Sequence, residues 1–198
     1  KLAKTHLRRD SRLVLTDSTL IHGGASGLYV GSSATLTFSN NQISDHADHP
    51  VTLPAANVSD LDSDSDLTGN GLDTVRIHSV STDGHRGTWH NLSVPYLVDP
   101  ENGDVLAIKG GSPITIEAGT ELRFRADAGL KVVDNSDILI AQGTESEPIR
   151  FVGISPGAGT WRGIFFESGS TENVIDHAEI TGAGSLAFNS NNNRGAVI

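Results

Sequence analysis

The chain has 198 residues and a formal net charge of −10, and it contains neither cysteine nor methionine. The lack of cysteine excludes disulfides, thiolate metal sites and cysteine nucleophiles, and the acidic balance disfavours nucleic-acid binding, which needs clustered Lys and Arg. No apolar run approaches the roughly 18 residues that suggest a membrane span, so we expect no membrane insertion.

Residues 1–80 repeat their apolar positions at a fixed spacing. Five apolar pairs lie 23 residues apart, and three further pairs continue the series at 24. Short alternating apolar groups at such a period predict a β-solenoid, in which each coil buries its apolar side chains by stacking on the next. A helix is excluded because the spacing lacks the helical period of about 3.6 residues. The five pairs are Leu13 and Leu36, Leu15 and Phe38, Leu20 and Ile43, Leu28 and Val51, and Val30 and Leu53.

Alternating carboxylates occupy the third coil of this repeat. Ca²⁺ is bound by oxygen ligands of this kind, so the sequence predicts a candidate calcium site, and calcium is the one cofactor that we consider. The alternative is an exposed turn whose charges keep the coil edge soluble, because Leu67 stands where a helix–loop–helix calcium site needs glycine. The carboxylates, which we call the acidic run, are Asp60, Asp62, Asp64, Asp66 and Asp73.

Two histidines just before this coil also suggest a metal site. Zinc is bound by imidazole and carboxylate groups, and His46, Asp48 and His49 lie within one short segment. The further ligands that zinc needs are not evident in the sequence. We therefore expect a polar turn outside the coil here.

Residues 81–113 interrupt the repeat. They contain Pro95, Pro100 and several glycines, and proline cannot donate a hydrogen bond to a β-ladder. We expect a connector or a cap, which closes one stack of coils and starts another. The expected organisation is late coils of a β-helix segment in 1–80, a connector or cap in 81–113, and early coils of a following segment in 114–198.

Several segments carry a family resemblance, among them TLTFSNNQISDH (35–46), GTWHNLSVPYLV (87–98), ITIEAGTELRF (114–124) and GTWRGIFFESGSTENVIDHAEITGAG (159–184). They resemble a repeat of bacterial secreted and surface proteins of the right-handed parallel β-helix, pectin-lyase-like class. The resemblance implies an all-β, right-handed parallel β-helix of about seven coils at roughly 4.8 Å per coil. One arrangement of these coils is two stacked segments. It is poor for function, because these repeats occur in adhesins, large secreted proteins and carbohydrate-active enzymes.

No catalytic constellation is visible in the sequence. Pectate lyases of this class use calcium-bound acidic residues and a basic residue that removes a proton. No catalytic motif of the family is present, and carboxylate pairs discriminate little in a chain with 24 Asp and Glu, so we name no catalytic residue. The resemblance offers carboxylates as candidate acids and arginines as candidate bases or clamps. The acids are Asp45, Asp48, Asp60, Asp62, Asp64 and Asp66, and the arginines are Arg76, Arg123, Arg125, Arg150 and Arg162.

The preferred functional hypothesis is an extracellular structural or adhesive solenoid segment. Because position 1 is Lys, we expect a processed product, an excised segment or part of a longer gene product, without a signal peptide to read. We expect export to the cell exterior or surface, with partners that are like chains stacking end to end or a surface glycan or protein. The alternative is a carbohydrate-binding or carbohydrate-cleaving module similar to polysaccharide lyases.

Overall fold

The computed structural model of the chain describes residues 5–8, 10–100, 105–111, 113–188 and 192–198. In these residues nearly all regular structure is β-strand, wound into a parallel solenoid of about seven turns, which confirms the predicted fold class. The one helical element is a 3₁₀ helix, Ala55–Asp60. The strands are β1 Thr5–Leu7, β2 Arg12–Thr16, β3 Thr19–Ile21, β4 Leu28–Val30, β5 Thr35–Ser39, β6 Gln42–Ser44, β7 Val51–Leu53, β8 Val75–Ile77, β9 Gly87–Trp89, β10 Tyr96–Val98, β11 Val105–Ile108, β12 Pro113–Ile116, β13 Glu121–Phe124, β14 Gly129–Val132, β15 Ile138–Gln142, β16 Ile149–Gly153, β17 Ile164–Phe166, β18 Val174–Asp176 and β19 Ala178–Thr181.

One sheet runs the length of the solenoid, and we call it the long sheet. It has eight strands in the order β1, β4, β7, β8, β10, β13, β16 and β19, and every described pairing in it is parallel. Among the pairs predicted from the 23-residue spacing, Leu28 and Val51 are register partners in this sheet. The partners Leu13–Leu36 and Leu20–Ile43 stack in the same way on the other faces.

The core is a continuous column under the long sheet. Strands such as β13 alternate half-buried and buried residues, because successive side chains of a strand point to opposite faces. Each fully buried aliphatic or aromatic side chain stabilises the fold by about 1.5–3 kcal/mol relative to its exposed state. One inward row is buried in six successive strands of the long sheet and consists of Leu28, Val51, Val75, Tyr96, Leu122 and Phe151.

The column widens in the later coils. The spacing in the long sheet increases from 23 residues, between Leu28 and Val51, to 29 residues, between Leu122 and Phe151. Larger side chains fill the added space: Phe124 stacks on Trp161 with ring centroids 4.1 Å apart. Packing at close to crystal density requires such matching of side-chain volume to coil length.

The cross-section of the solenoid changes near residue 55. The face formed by β2 and β5 is continued first by the 3₁₀ helix and then by the sheet β9-β12-β15-β18. The helix is joined to the preceding coil by Asn57, whose Nδ2 donates a hydrogen bond to the Ala34 carbonyl at 3.0 Å. Pro54 precedes the helix and cannot donate to a strand ladder. A further sheet, β11-β14-β17, is present only in the later coils, where Ser81 forms an isolated bridge with Ala107.

The described residues of the segment 81–113, which was expected to be a connector or cap, lie within the stack. Its strand β10 pairs with β8 on one side and β13 on the other, so the long sheet passes through the segment without a break. The rhythm of the sequence changes here because, in the described residues, the sheet β3-β6 is confined to the early coils and the sheet β11-β14-β17 begins in this segment. The division of the parent protein into two stacked segments stays a prediction.

Buried asparagine side chains connect successive coils. Asn41 accepts a hydrogen bond from the Ser18 amide at 3.1 Å and donates one to the Leu15 carbonyl at 2.9 Å. The position 23 residues earlier is Ser18, which has no side-chain amide, so backbone groups of the preceding coil satisfy Asn41.

Candidate functional site

Asp62 and Asp73 of the acidic run bind backbone and hydroxyl groups of nearby turns. Asp62 accepts hydrogen bonds from the Asn40 amide at 2.9 Å and the Ser65 hydroxyl at 2.6 Å. Asp73 accepts from the amides of Gly69 and Asn70, at 3.1 and 2.7 Å. These bonds hold the turns in shape, which is the usual role of Asp at such positions.

The other members of the run have separate environments. The Thr68 hydroxyl, with the Thr68 amide, lowers the pKa of the exposed Asp66. Burial raises the pKa of Asp60, against a hydrogen bond donated by Asn57 at 2.7 Å, and Asp64 is exposed. In the described part of the chain, no group of three or more His, Cys, Asp or Glu side chains is placed to hold a metal ion. Calcium binding stays a prediction.

His46 and His49 bind to different parts of the fold. The Nε2 atom of His46 lies 3.2 Å from the Leu20 carbonyl. The Nδ1 atom of His49 lies 3.0 Å from the Thr74 carbonyl, and since a carbonyl only accepts, this nitrogen carries the proton and donates. Burial lowers the pKa of His49, opposed by the neighbouring Asp48 carboxylate. Both imidazoles therefore have structural contacts to the backbone.

A groove of about 290 Å³ crosses the outer face of the long sheet, and we call it the arginine groove. Its floor includes Leu97 and Arg123, which are flanked along their strands by buried inward residues and therefore face outward. Its walls come from turns that precede β7 and β8 or follow β13 and β16. The lining residues are His49, Leu72, Thr74, Leu97, Arg123, Arg125, Gly153 and Ile154.

A buried carboxylate holds two arginines beside this groove. Arg76 Nε donates to Asp99 Oδ2 at 2.7 Å, and Arg125 Nε lies 2.6 Å from Asp99 Oδ1. The Asp99 side chain is 9% exposed, whereas those of Arg76 and Arg125 are 31% and 54% exposed. A carboxylate this deeply buried requires paired positive charge. The three residues come from three successive rungs, so the cluster exists only when the coils stack.

A second ion pair lies on the floor of the arginine groove. Arg123 Nε donates to Glu121 Oε1 at 2.6 Å, and the two residues share the outer face because they are two positions apart on one strand. Arg123 and Leu97 are register partners in β13 and β10. The groove therefore combines guanidinium groups with an aliphatic surface.

Of the five arginines suggested by the sequence, Arg123 and Arg125 line this groove and Arg76 lies beside it, joined to Arg125 through Asp99; the other two lie elsewhere. Arg150 pairs with Glu179 at 3.0 Å, and Arg162 donates to the Asp127 carbonyl at 2.8 Å. Sequence reasoning missed Asp99. The signal available was its spacing, because Asp99 follows Arg76 by 23 residues, one repeat length.

Comparison with known proteins gives no match to this chain: no family model, no curated protein and no solved structure matches it. The pectin-lyase-like and bacterial part of the resemblance therefore stays a prediction. Among the described residues, no helix is long and apolar enough to cross a membrane.

Proposed function

We propose that this chain is a structural or adhesive segment of an extracellular or cell-surface protein. The observation that carries the proposal is the long sheet, whose eight parallel strands lie over a continuous buried column. A solenoid adds length linearly, because each coil needs only its neighbours for burial. About seven turns at roughly 4.8 Å each give a rod of about 34 Å, which suits a stalk or a surface for attachment.

The rung formed by β17, β18 and β19 supports association with further coils. Within the described residues, β18 and β19 each pair with a strand on one side only. Half-buried Ile175 and Ile180 belong to this rung, and a groove of about 430 Å³ opens beside Phe166 and Val197. Unpaired strand edges next to apolar side chains are a template for another strand. A like chain stacked end to end would cover them.

Sedimentation velocity over a range of concentrations tests the stacking part of the proposal. We expect self-association that rises with concentration, and elongated particles in negative-stain electron microscopy. A variant with Ile180→Lys places a charge in the end rung and should abolish association, whereas Val80→Lys, at an exposed site after β8 in the middle coils, should not. Strictly monomeric behaviour of the unsubstituted chain at high concentration would overturn end-to-end assembly.

Protease treatment of intact source cells tests the location. An exported surface segment should be removed by added protease and detected by antibodies on unbroken cells. Detection only after the cells are lysed would contradict the extracellular part of the proposal, and it would leave the stacking measurement unaffected.

A further inference from the structure

The arginine groove is balanced in charge on a chain that is acidic overall. Three guanidinium groups, those of Arg76, Arg123 and Arg125, lie near three carboxylates, those of Asp99, Glu121 and Asp48, and Asp48 Oδ1 is 3.5 Å from His49 Nε2. The chain as a whole has a net charge of −10. The groove therefore opposes an anionic group less than the average acidic surface of this chain does.

The arginines retain hydrogen-bond donors for a ligand. Each of the three contacts its carboxylate through Nε, and a guanidinium carries about five N–H groups in a planar fork. The Nη groups are the pair of donors that bind a carboxylate in bidentate geometry. Because Asp99 holds Arg76 and Arg125 from a buried position, less side-chain entropy is lost when a ligand binds.

The remainder of the groove is aliphatic. Leu72 and Ile154 are large apolar side chains that are 50% and 48% exposed, and Leu97 lies between the polar groups on the floor. Their exposure in one groove indicates that the ligand has an apolar group beside its anionic group. The polar atoms of His49 and Thr74 already bind each other, with Nδ1 2.9 Å from Oγ1, and so do not require a ligand hydroxyl.

We propose that the arginine groove binds a peptide in which an acidic side chain is next to an aliphatic one. The carboxylate of the peptide is held by Arg123 and Arg125, and the aliphatic side chain packs against Leu72, Leu97 and Ile154. A sugar chain fits this lining less well, because sugars stack on aromatic rings and the lining residues include none. A groove of about 290 Å³ lies at the small end of ligand pockets, which suits two adjacent side chains. This inference stands on the groove alone and does not depend on end-to-end assembly.

Fluorescence anisotropy with a labelled peptide tests the inference on the full chain. The probe is Ac-Gly-Leu-Asp-Leu-Gly-amide, and the reference is the same peptide with Asn in place of Asp. We expect the Asp peptide to bind at least about tenfold more tightly, since hydrogen bonds to charged groups are stronger than neutral ones. Arg123→Gln and Arg125→Gln should each weaken binding of the Asp peptide by about tenfold, and Ile154→Ser should weaken both peptides.

Arg194→Gln is the matched control, because Arg194 is an exposed arginine near residue 198 and is not a lining residue of the groove. It should bind the Asp peptide as the unsubstituted chain does. Far-ultraviolet circular dichroism confirms that each variant is folded, and Arg123→Gln serves as the decisive variant because Arg123 does not contact the buried Asp99. Equal binding of the two peptides, or equal binding by Arg123→Gln and Arg194→Gln, would overturn the proposal. Binding of an oligogalacturonate, without binding of the Asp peptide, would overturn it in favour of a glycan site.

Discussion

Replacing Asp99 by Asn tests whether one buried carboxylate holds three rungs together. The substitution keeps the shape of the side chain and removes its charge. Asn retains one oxygen that can accept from Arg76, but its amide group then faces the second guanidinium as donor against donor. Hydrogen bonds to charged groups contribute about 1.5–3 kcal/mol each, and solvent screens the two exposed guanidinium groups. We therefore expect a loss of about 2–3 kcal/mol in the free energy of unfolding.

Urea unfolding at pH 7 and low salt measures this loss, with Glu121→Gln as the matched control. Glu121 forms an ion pair of similar length, 2.6 Å, with Arg123 on the outer surface, and such surface pairs contribute less than about 1 kcal/mol. A loss below about 0.5 kcal/mol for Asp99→Asn, or equal losses for the two variants, would refute the reasoning that burial strengthens the Asp99 cluster.

Four further outcomes are expected. Asn41→Ala should cost about 1–3 kcal/mol in urea unfolding, because two half-buried backbone groups lose their hydrogen bonds to a buried side chain, whereas Asn91→Ala, at an exposed position, should cost far less. Burial lowers the pKa of His49 below 6.5. The protein should therefore lose stability as the pH falls below this value, and a His49→Gln variant should lose less over the same range. Burial raises the pKa of Asp60 above 3.8, so Asp60→Asn should be more stable than the unsubstituted chain at pH 7 and equally stable near pH 3. If the acidic run binds calcium, the Tm should rise with calcium and not with magnesium; an unchanged Tm at millimolar calcium would contradict that prediction.

The inward rows were predictable because their repeat spacing can be read directly from the sequence. Leu13 and Leu36, or Leu20 and Ile43, show the repeat length directly in the sequence, and each pair is in register in the structure. Local recurrence does not always give the register. Gly-Thr-Glu occurs at 119–121 and at 143–145, yet Glu121 is the register partner of Arg150, because the turn between β15 and β16 is longer than the turn before β13 and shifts the alignment.

The sequence suggested arginines as candidate site residues, but it did not show which of them lie together in the fold. Arg76, Arg123 and Arg125 were suggested with Arg150 and Arg162, and nothing in the sequence separated the members that meet. The acidic run was predicted because its alternating pattern is conspicuous, but the carboxylates bind turn amides instead of converging in the described structure. The alternating pattern does not show which backbone N–H groups the carboxylates will meet, because the direction of these groups is set by turn geometry.

The sequence by itself determined the coil, its strands and the side chains of the interior. Alternation with a period of two decides which side chains point inward, and a repeat of 23 residues decides which of them stack. Only the tertiary structure decided what the outer face carries. Asp99 is brought between Arg76 and Arg125 by coil lengths that vary from rung to rung, and these lengths depend on turns, whose conformations follow no repeat. All interior side chains pack into one apolar column, so the alternating pattern is enough to predict them. A contact on the surface depends on the lengths of several separate turns, which together set the register between coils.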